Sequence, residues 1–271
     1  MKKRIIIAVA SFAFAGLTVF AIIMSVRTCN WHSDEDVGNF RVRFYSDYCE
    51  ILGTTEQGNN QKYLVVPEYI NGKLVVTLGE QRERGWFSLN LMRPDIKSDV
   101  IERVYFEGDV FSYPASFSEC PKLTHLFFIC GDAHLINHSS TRKVYYSHDI
   151  FKRHFSHLEY VEYCRASAHT VPANISYHYN YQNALNDGYY WIDDYDYGGL
   201  IDYIPKDPTR EGYTFGGWYK ESECVNKWDF ENDTLPDEKK DKYVNADGVE
   251  EEVTLYQETK LYAKWIQTDR K

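Results

Sequence analysis

Apolar residues fall into three patterns along the chain. Residues 5–26, IIIAVASFAFAGLTVFAIIMSV, run without a charge, and as a helix they would span roughly 33 Å at about 1.5 Å per residue, enough to cross a bilayer. In the middle a short phrase, apolar-x-x-apolar-x-aromatic, recurs as Ile101, Val104, Phe106, as Leu123, Leu126, Phe128 and as Leu158, Val161, Tyr163, with a weaker copy in Thr141, Val144, Tyr146. Alternate residues of a strand share a face, so Val104 with Phe106, Leu126 with Phe128, Val144 with Tyr146 and Val161 with Tyr163 are predicted to point into a common core. Toward the C-terminus Tyr213 and Phe215 share one strand face, and Gly212 and Gly217 flank them where the chain must turn or approach another backbone closely.

The middle residues of the recurring phrase are 22, 18 and 17 positions apart. A spacing of about 20 is one coil of a leucine-rich solenoid, in which each strand stacks on the previous one because a single coil cannot bury its own face. A chance likeness among strands of an ordinary β-domain would give the same pattern. Residues 116–128, SFSECPKLTHLFF, resemble the surface-antigen type of leucine-rich repeat, with Phe117, Cys120, Leu123 and Leu126 in its apolar places. Residues 63–80, YLVVPEYINGKLVVTLGE, resemble that family's entry unit, and Asn71-Gly72 between two apolar runs is itself a hairpin signal. The likeness covers roughly residues 40–170, although 81–100 and 131–142 do not fit a coil. It implies a scaffold that presents a surface, and no chemistry.

From Pro205 the chain reads PKDPTREGYTFGGWYKESECVNKWDF, and it closes at LYAKW. Pro205, Pro208, Thr209, Gly212, Tyr213, Phe215, Gly217, Trp218, Tyr219, Leu261, Tyr262, Ala263 and Trp265 occupy the signature of the Listeria-Bacteroides repeat, the B-repeat of internalin-type surface proteins, which this segment resembles. The resemblance implies a small β-grasp-like sheet with little helix over residues 172–266, standing as an independent unit. Trp218 and Trp265 are large enough to anchor its core; an exposed sugar-stacking platform is the alternative. Residues 236–253, charged and poor in aromatics, read as a surface loop or hairpin.

The predicted protein is therefore mainly β: a signal anchor or transmembrane helix at 1–27, a linker at 28–39, an irregular leucine-rich solenoid at 40–171, the B-repeat at 172–266 and a tail at 267–271. MKKR precedes the apolar run and Asp34, Glu35 and Asp36 follow it, which places the N-terminus in the cytoplasm and the remainder outside a membrane crossed once. Secretion after cleavage near Ala13-Phe14-Ala15 is the alternative; Cys29 lacks a lipobox. In an exported chain the cysteines Cys29, Cys49, Cys120, Cys130, Cys164 and Cys224 allow three disulfides in 15 pairings, or buried thiols.

The formal charge is −10, and without Lys2, Lys3, Arg4 and Arg27 the remainder holds 26 basic against 40 acidic residues. Such a balance repels phosphate backbones and argues against nucleic-acid binding. His134 with His138, His154 with His157, and Cys164 with His169 belong to no metal or nucleophile motif, and DDYDYG at 193–198 lacks the ligand order of a calcium loop. No GxSxG, P-loop or GxGxxG occurs. The expectation is a non-catalytic surface protein without a cofactor, for adhesion, protein–protein interaction or spacing from the membrane, with an unknown protein or glycan as partner. A carbohydrate-binding accessory protein is the alternative. In a solenoid the residues alternate to the core are Arg103 and Tyr105, His125 and Phe127, Lys143 and Tyr145, and Tyr160 and Glu162. They form either an exposed binding stripe or a face covered by the adjoining C-terminal unit.

Overall fold

The structure, a computed structural model, describes residues 32–78, 96–108, 111–112, 117, 119–129, 143–154, 170–244 and 247–268. The apolar run at 5–26 lies outside the described residues. Among the described residues no helix is long and apolar enough to cross a membrane.

The first sheet is built on β1 (Ser33–Val37), β2 (Phe40–Phe44) and β3 (Tyr48–Thr54), joined in antiparallel order. The stretch read as a linker at 28–39 thus contains a strand. Charge pairing rather than apolar periodicity marks it, because Asp34 stands opposite Arg43 and Asp36 opposite Arg41 across β1 and β2, with contacts of 2.7 and 3.0 Å. A one-turn helix α1 (Glu56–Asn59) is N-capped by Thr55, whose side chain accepts from Gly58 N. After β4 (Tyr63–Val66), the hairpin of β5 (Tyr69–Ile70) and β6 (Lys73–Leu78) turns on Asn71 and Gly72 at φ 49° and 74°, the left-handed pair that an Asn-Gly turn supplies. β6 runs parallel to β3 and, on its other side, to the short β8 (Phe111–Ser112).

β4 belongs to a second sheet, a parallel stack with β7 (Arg103–Phe106), β9 (His125–Phe128), β10 (Lys143–Tyr146) and β11 (Thr170–Pro172), in the order β11-β10-β9-β7-β4. Its register is unbroken: Leu64, Val104, Leu126 and Val144 lie side by side, as do Val66, Phe106, Phe128 and Tyr146. Both rows are buried in the core shared with the first sheet, together with Ile101, Phe117, Cys120 and Leu123. Phe106 and Phe128 stack at 4.7 Å, the spacing of neighbouring strands themselves. The copy at 158–163 lies outside the described residues, and the strand paired with β10 is β11. Helix α2 (His148–His154) follows β10 and places Ile150 and Phe151 in the same core.

The third sheet is β12 (Ile175–His178), β13 (Tyr189–Asp193), β14 (Tyr213–Tyr219) and β17 (Thr259–Gln267), in the order β13-β12-β17-β14. LYAKW thus lies in the strand between β12 and β14. β15 (Lys240–Val244) and β16 (Glu250–Thr254) form a separate hairpin within the charged segment, carrying the ion pairs Lys242–Glu250 and Lys240–Glu252.

Candidate functional site

The second face of the parallel stack meets the C-terminal sheet. Tyr105, Phe127 and Tyr145 stand side by side on β7, β9 and β10, stacked at 4.7 and 4.6 Å. All three are at most 1% exposed, in one core with Tyr177, Trp191, Ile192, Trp218 and Leu261. The second of the two readings therefore holds: these rings are covered by the adjoining unit and offer no exposed stripe. Arg103 is largely covered as well, His125 is half-buried and Lys143 alone is exposed. Tyr160 and Glu162 lie outside the described residues. The physical reason is the apolar content of both faces of the stack, since a strand with rings on either side must be covered twice.

Asp193 closes this seam. It is fully buried, and Arg103 Nη1 reaches its Oδ1 at 2.5 Å while the hydroxyls of Tyr105 and Tyr195 each donate to Oδ2 at 2.9 Å. Asp194 N donates to Oδ1 at 2.8 Å, and Arg103 Nη1 also donates to Asp194 O at 3.1 Å. The Arg103 guanidinium lies 4.9 Å from the Tyr195 ring centre, a cation–π contact within a water-poor seam. Burial pushes the Asp193 carboxyl up to about 6, against the pull of Arg103 and these hydrogen bonds. Within residues 193–198 Asp193 is thus held in an internal ion pair, and among the described residues no group of three or more His, Cys, Asp or Glu could hold a metal.

Beside the seam a cleft of about 530 Å³ opens between the stack, the C-terminal unit and the β15–β16 hairpin. Tyr145, Asp194 and Asn174 line it together with Lys143, Glu238 and Tyr256. Burial pushes the Asp194 carboxyl up to about 6; Tyr145 and Lys143 lower it and Asp193 raises it further. The Tyr145 hydroxyl is covered; burial, and then the facing Asp194 carboxylate, raise it. Sequence reasoning missed Asp194, Asn174, Glu238 and Tyr256. Their convergence is tertiary, and only the acidic run at 193–196 hinted at it.

A second polar cluster bears on catalysis. Ser176 Oγ donates to Glu258 Oε1 at 2.6 Å and lies 3.0 Å from His178 Nε2. The order is unsuited to a nucleophile, because the histidine does not stand between serine and acid, and Ser176 is 1% exposed. Burial, with Lys260 adding to it, depresses His178 to about 4. His134, His138, His157, Cys164 and His169 lie outside the described residues. Cys49 and Cys120 are buried thiols that donate to Lys73 O and Ile96 O at 3.6 and 3.4 Å.

Several residues of the C-terminal signature pack within the third sheet. Trp218 is 2% exposed and meets Tyr177 edge-on at 4.9 Å, and Trp265 Nε1 donates to Tyr179 O at 2.6 Å. Tyr213 and Phe215 pair with Gln267 and Trp265 of β17, and the register shifts before Trp218, where Gly217 takes φ 103°. Gly212 turns the chain into β14 at φ 77°. Tyr219 stands opposite Tyr262, and Leu261 is fully buried. No solved structure matches the chain. Residues 174–243 match the Listeria-Bacteroides repeat domain, a repeat typical of surface proteins and consistent with a non-catalytic role at or outside the cell surface.

Proposed function

We propose that this is a cell-surface protein that acts by binding a protein partner, with the run at 5–26 as its membrane anchor and the parallel stack as a degenerate leucine-rich solenoid. The observation that carries the reading is the repeat at 174–243 joined to a parallel stack through one aromatic core, an arrangement that holds two binding-type modules in fixed orientation. The unbroken register of β4, β7, β9 and β10 supports the solenoid. The buried Ser176 supports a role without chemistry. A carbohydrate platform has less support, since Trp218 packs inward.

The test is expression of the full chain on a non-adherent bacterial host, followed by attachment to epithelial monolayers. Attachment abolished by treating the monolayer with protease supports the reading. Attachment abolished only by glycosidase favours the carbohydrate alternative, and none above the host's background overturns adhesion.

A further inference from the structure

The first sheet exposes an apolar rim at the corner where the chain enters it. Cys49 and Val75, paired across β3 and β6, point into the core. Alternation turns their neighbours Tyr48 and Leu74 to the opposite face, and Leu74 stands in register with Tyr48 on one side and Tyr69 of β5 on the other. Tyr69 is 55% and Leu74 39% exposed. Tyr45, in the turn between β2 and β3, stacks on Tyr48 at 4.5 Å. The basic side chains beside the rim are engaged within the sheet: Arg43 pairs with Asp34, Arg41 with Asp36, and Lys73 Nζ donates to Ser46 O. β1 begins at Ser33 opposite Phe44, and the His32 ring lies 6.0 Å from that of Tyr45, so the chain arrives at this rim and not at the far end of the sheet. The charge-free run ends at Val26, six residues before His32. Fully extended, six residues reach at most about 22 Å, and a headgroup layer fills about 5–7 Å of that distance.

We propose that the rim of Tyr45, Tyr48, Leu74 and Tyr69 rests on the outer headgroup layer of the membrane that anchors the chain. A tyrosine suits that layer because its ring enters the apolar side while its hydroxyl stays wet, and aromatic residues gather at membrane–water interfaces for this reason. The short tether holds one corner of the sheet at the bilayer, and the exposed rings lie at that corner. The contact gives the protein a second point of attachment beside the anchor and so fixes the direction in which its other sheets face. This assignment rests on the reading of residues 5–26 as a membrane anchor.

The test is photo-cross-linking of the full chain in phosphatidylcholine vesicles. Tyr69→benzoylphenylalanine places the label on the rim, and Val225→benzoylphenylalanine, at a site 73% exposed in the loop after β14, is the control; neither side chain belongs to a core. The expected lipid adduct at position 69 is at least about tenfold that at position 225. Adding phosphatidylglycerol or high salt leaves it unchanged, because rings rather than basic side chains make the contact. Leu74→Asp in the chain labelled at 69 lowers the adduct at least about threefold by setting a charge in the rim. A covalent dimer in place of the lipid adduct, equal adducts at the two positions, or an adduct that requires phosphatidylglycerol and is lost in salt overturns the assignment. An alkaline wash of the vesicles separates it from the reading on which it rests. A chain that is retained but gives no adduct at position 69 keeps its anchor and loses the interfacial contact, whereas a chain that the wash releases overturns the anchor and the contact with it.

Discussion

Around Asp193 two opposing effects meet. Desolvation favours the neutral acid, whereas Arg103, two tyrosine hydroxyls and a backbone N–H favour the anion. Removing the cation alone leaves a buried charge with nothing to balance it, so Arg103→Met is expected to cost about 3–5 kcal/mol at pH 7. The loss should shrink at pH 5, where the acid can protonate instead; guanidinium unfolding at the two pH values checks this. Asp193 and Asp194 both titrate higher in the fold, at about 6, than at their ordinary 3.8. The folded state therefore binds more protons than the unfolded chain between these values, and their contribution to stability is present below pH 4 and lost as pH rises through 6. Asp194→Asn is accordingly expected to stabilise the protein by on the order of 3 kcal/mol at pH 7 and by almost nothing at pH 4. A gain of equal size at both pH values would show that the carboxyl is not shifted. At Trp218, buried against Tyr177 and Phe215, substitution by Ala should open a cavity costing about 3–5 kcal/mol, read from the denaturation midpoint.

The junction of β14 and β17 depends on a break in register. Gly217 stands there at φ 103°, and a Cβ would come within 2.7 Å of Lys227 Cε. The lysine side chain can move aside but the backbone angle cannot, so Gly217→Ala should cost about 1–3 kcal/mol and Lys227→Ala should not rescue it. Full rescue in the double variant would assign the cost to the clash instead. Such a bulge is legible in the sequence as paired glycines inside an aromatic strand. The stack was legible for the same kind of reason, since β7, β9 and β10 carry alternating residues of which Val104, Leu126 and Val144 lie in register. β1 was not, because SDEDV has almost no apolar content and is held opposite Arg41 and Arg43 by charge. The paired strand β11 was missed because Thr170, Val171 and Pro172 lack the aromatic that marks the other copies. The seam and its cleft were the least legible of all: Arg103 and Asp193 are separated by 90 positions, and nothing in either local sequence names the other.

The two units are not separate bodies joined by a linker. The row Tyr105, Phe127, Tyr145 belongs to the core of the C-terminal sheet, and rings of this size bury about 150–250 Å² each, worth roughly 25 cal/mol per Å². Three of them represent on the order of 10 kcal/mol, comparable with the whole net stability of a domain. Residues 172–266 expressed alone would present Trp191, Tyr195 and Asp193 to water, with the carboxylate stripped of Arg103 and Tyr105. The independence implied by the repeat resemblance is therefore expected to hold only in part. The isolated segment should unfold at a markedly lower denaturant concentration than the same tryptophans report in the full chain, where near-ultraviolet and fluorescence signals should lose structure in one transition. Tyr105→Ala in the full chain should lower that transition and bring it closer to the behaviour of the segment alone, since it removes both a ring from the stack and a donor to Asp193. Coincident midpoints for the segment and the full chain would mean that the seam contributes nothing and that the repeat is held by its own sheet, with the aromatic row serving the stack alone.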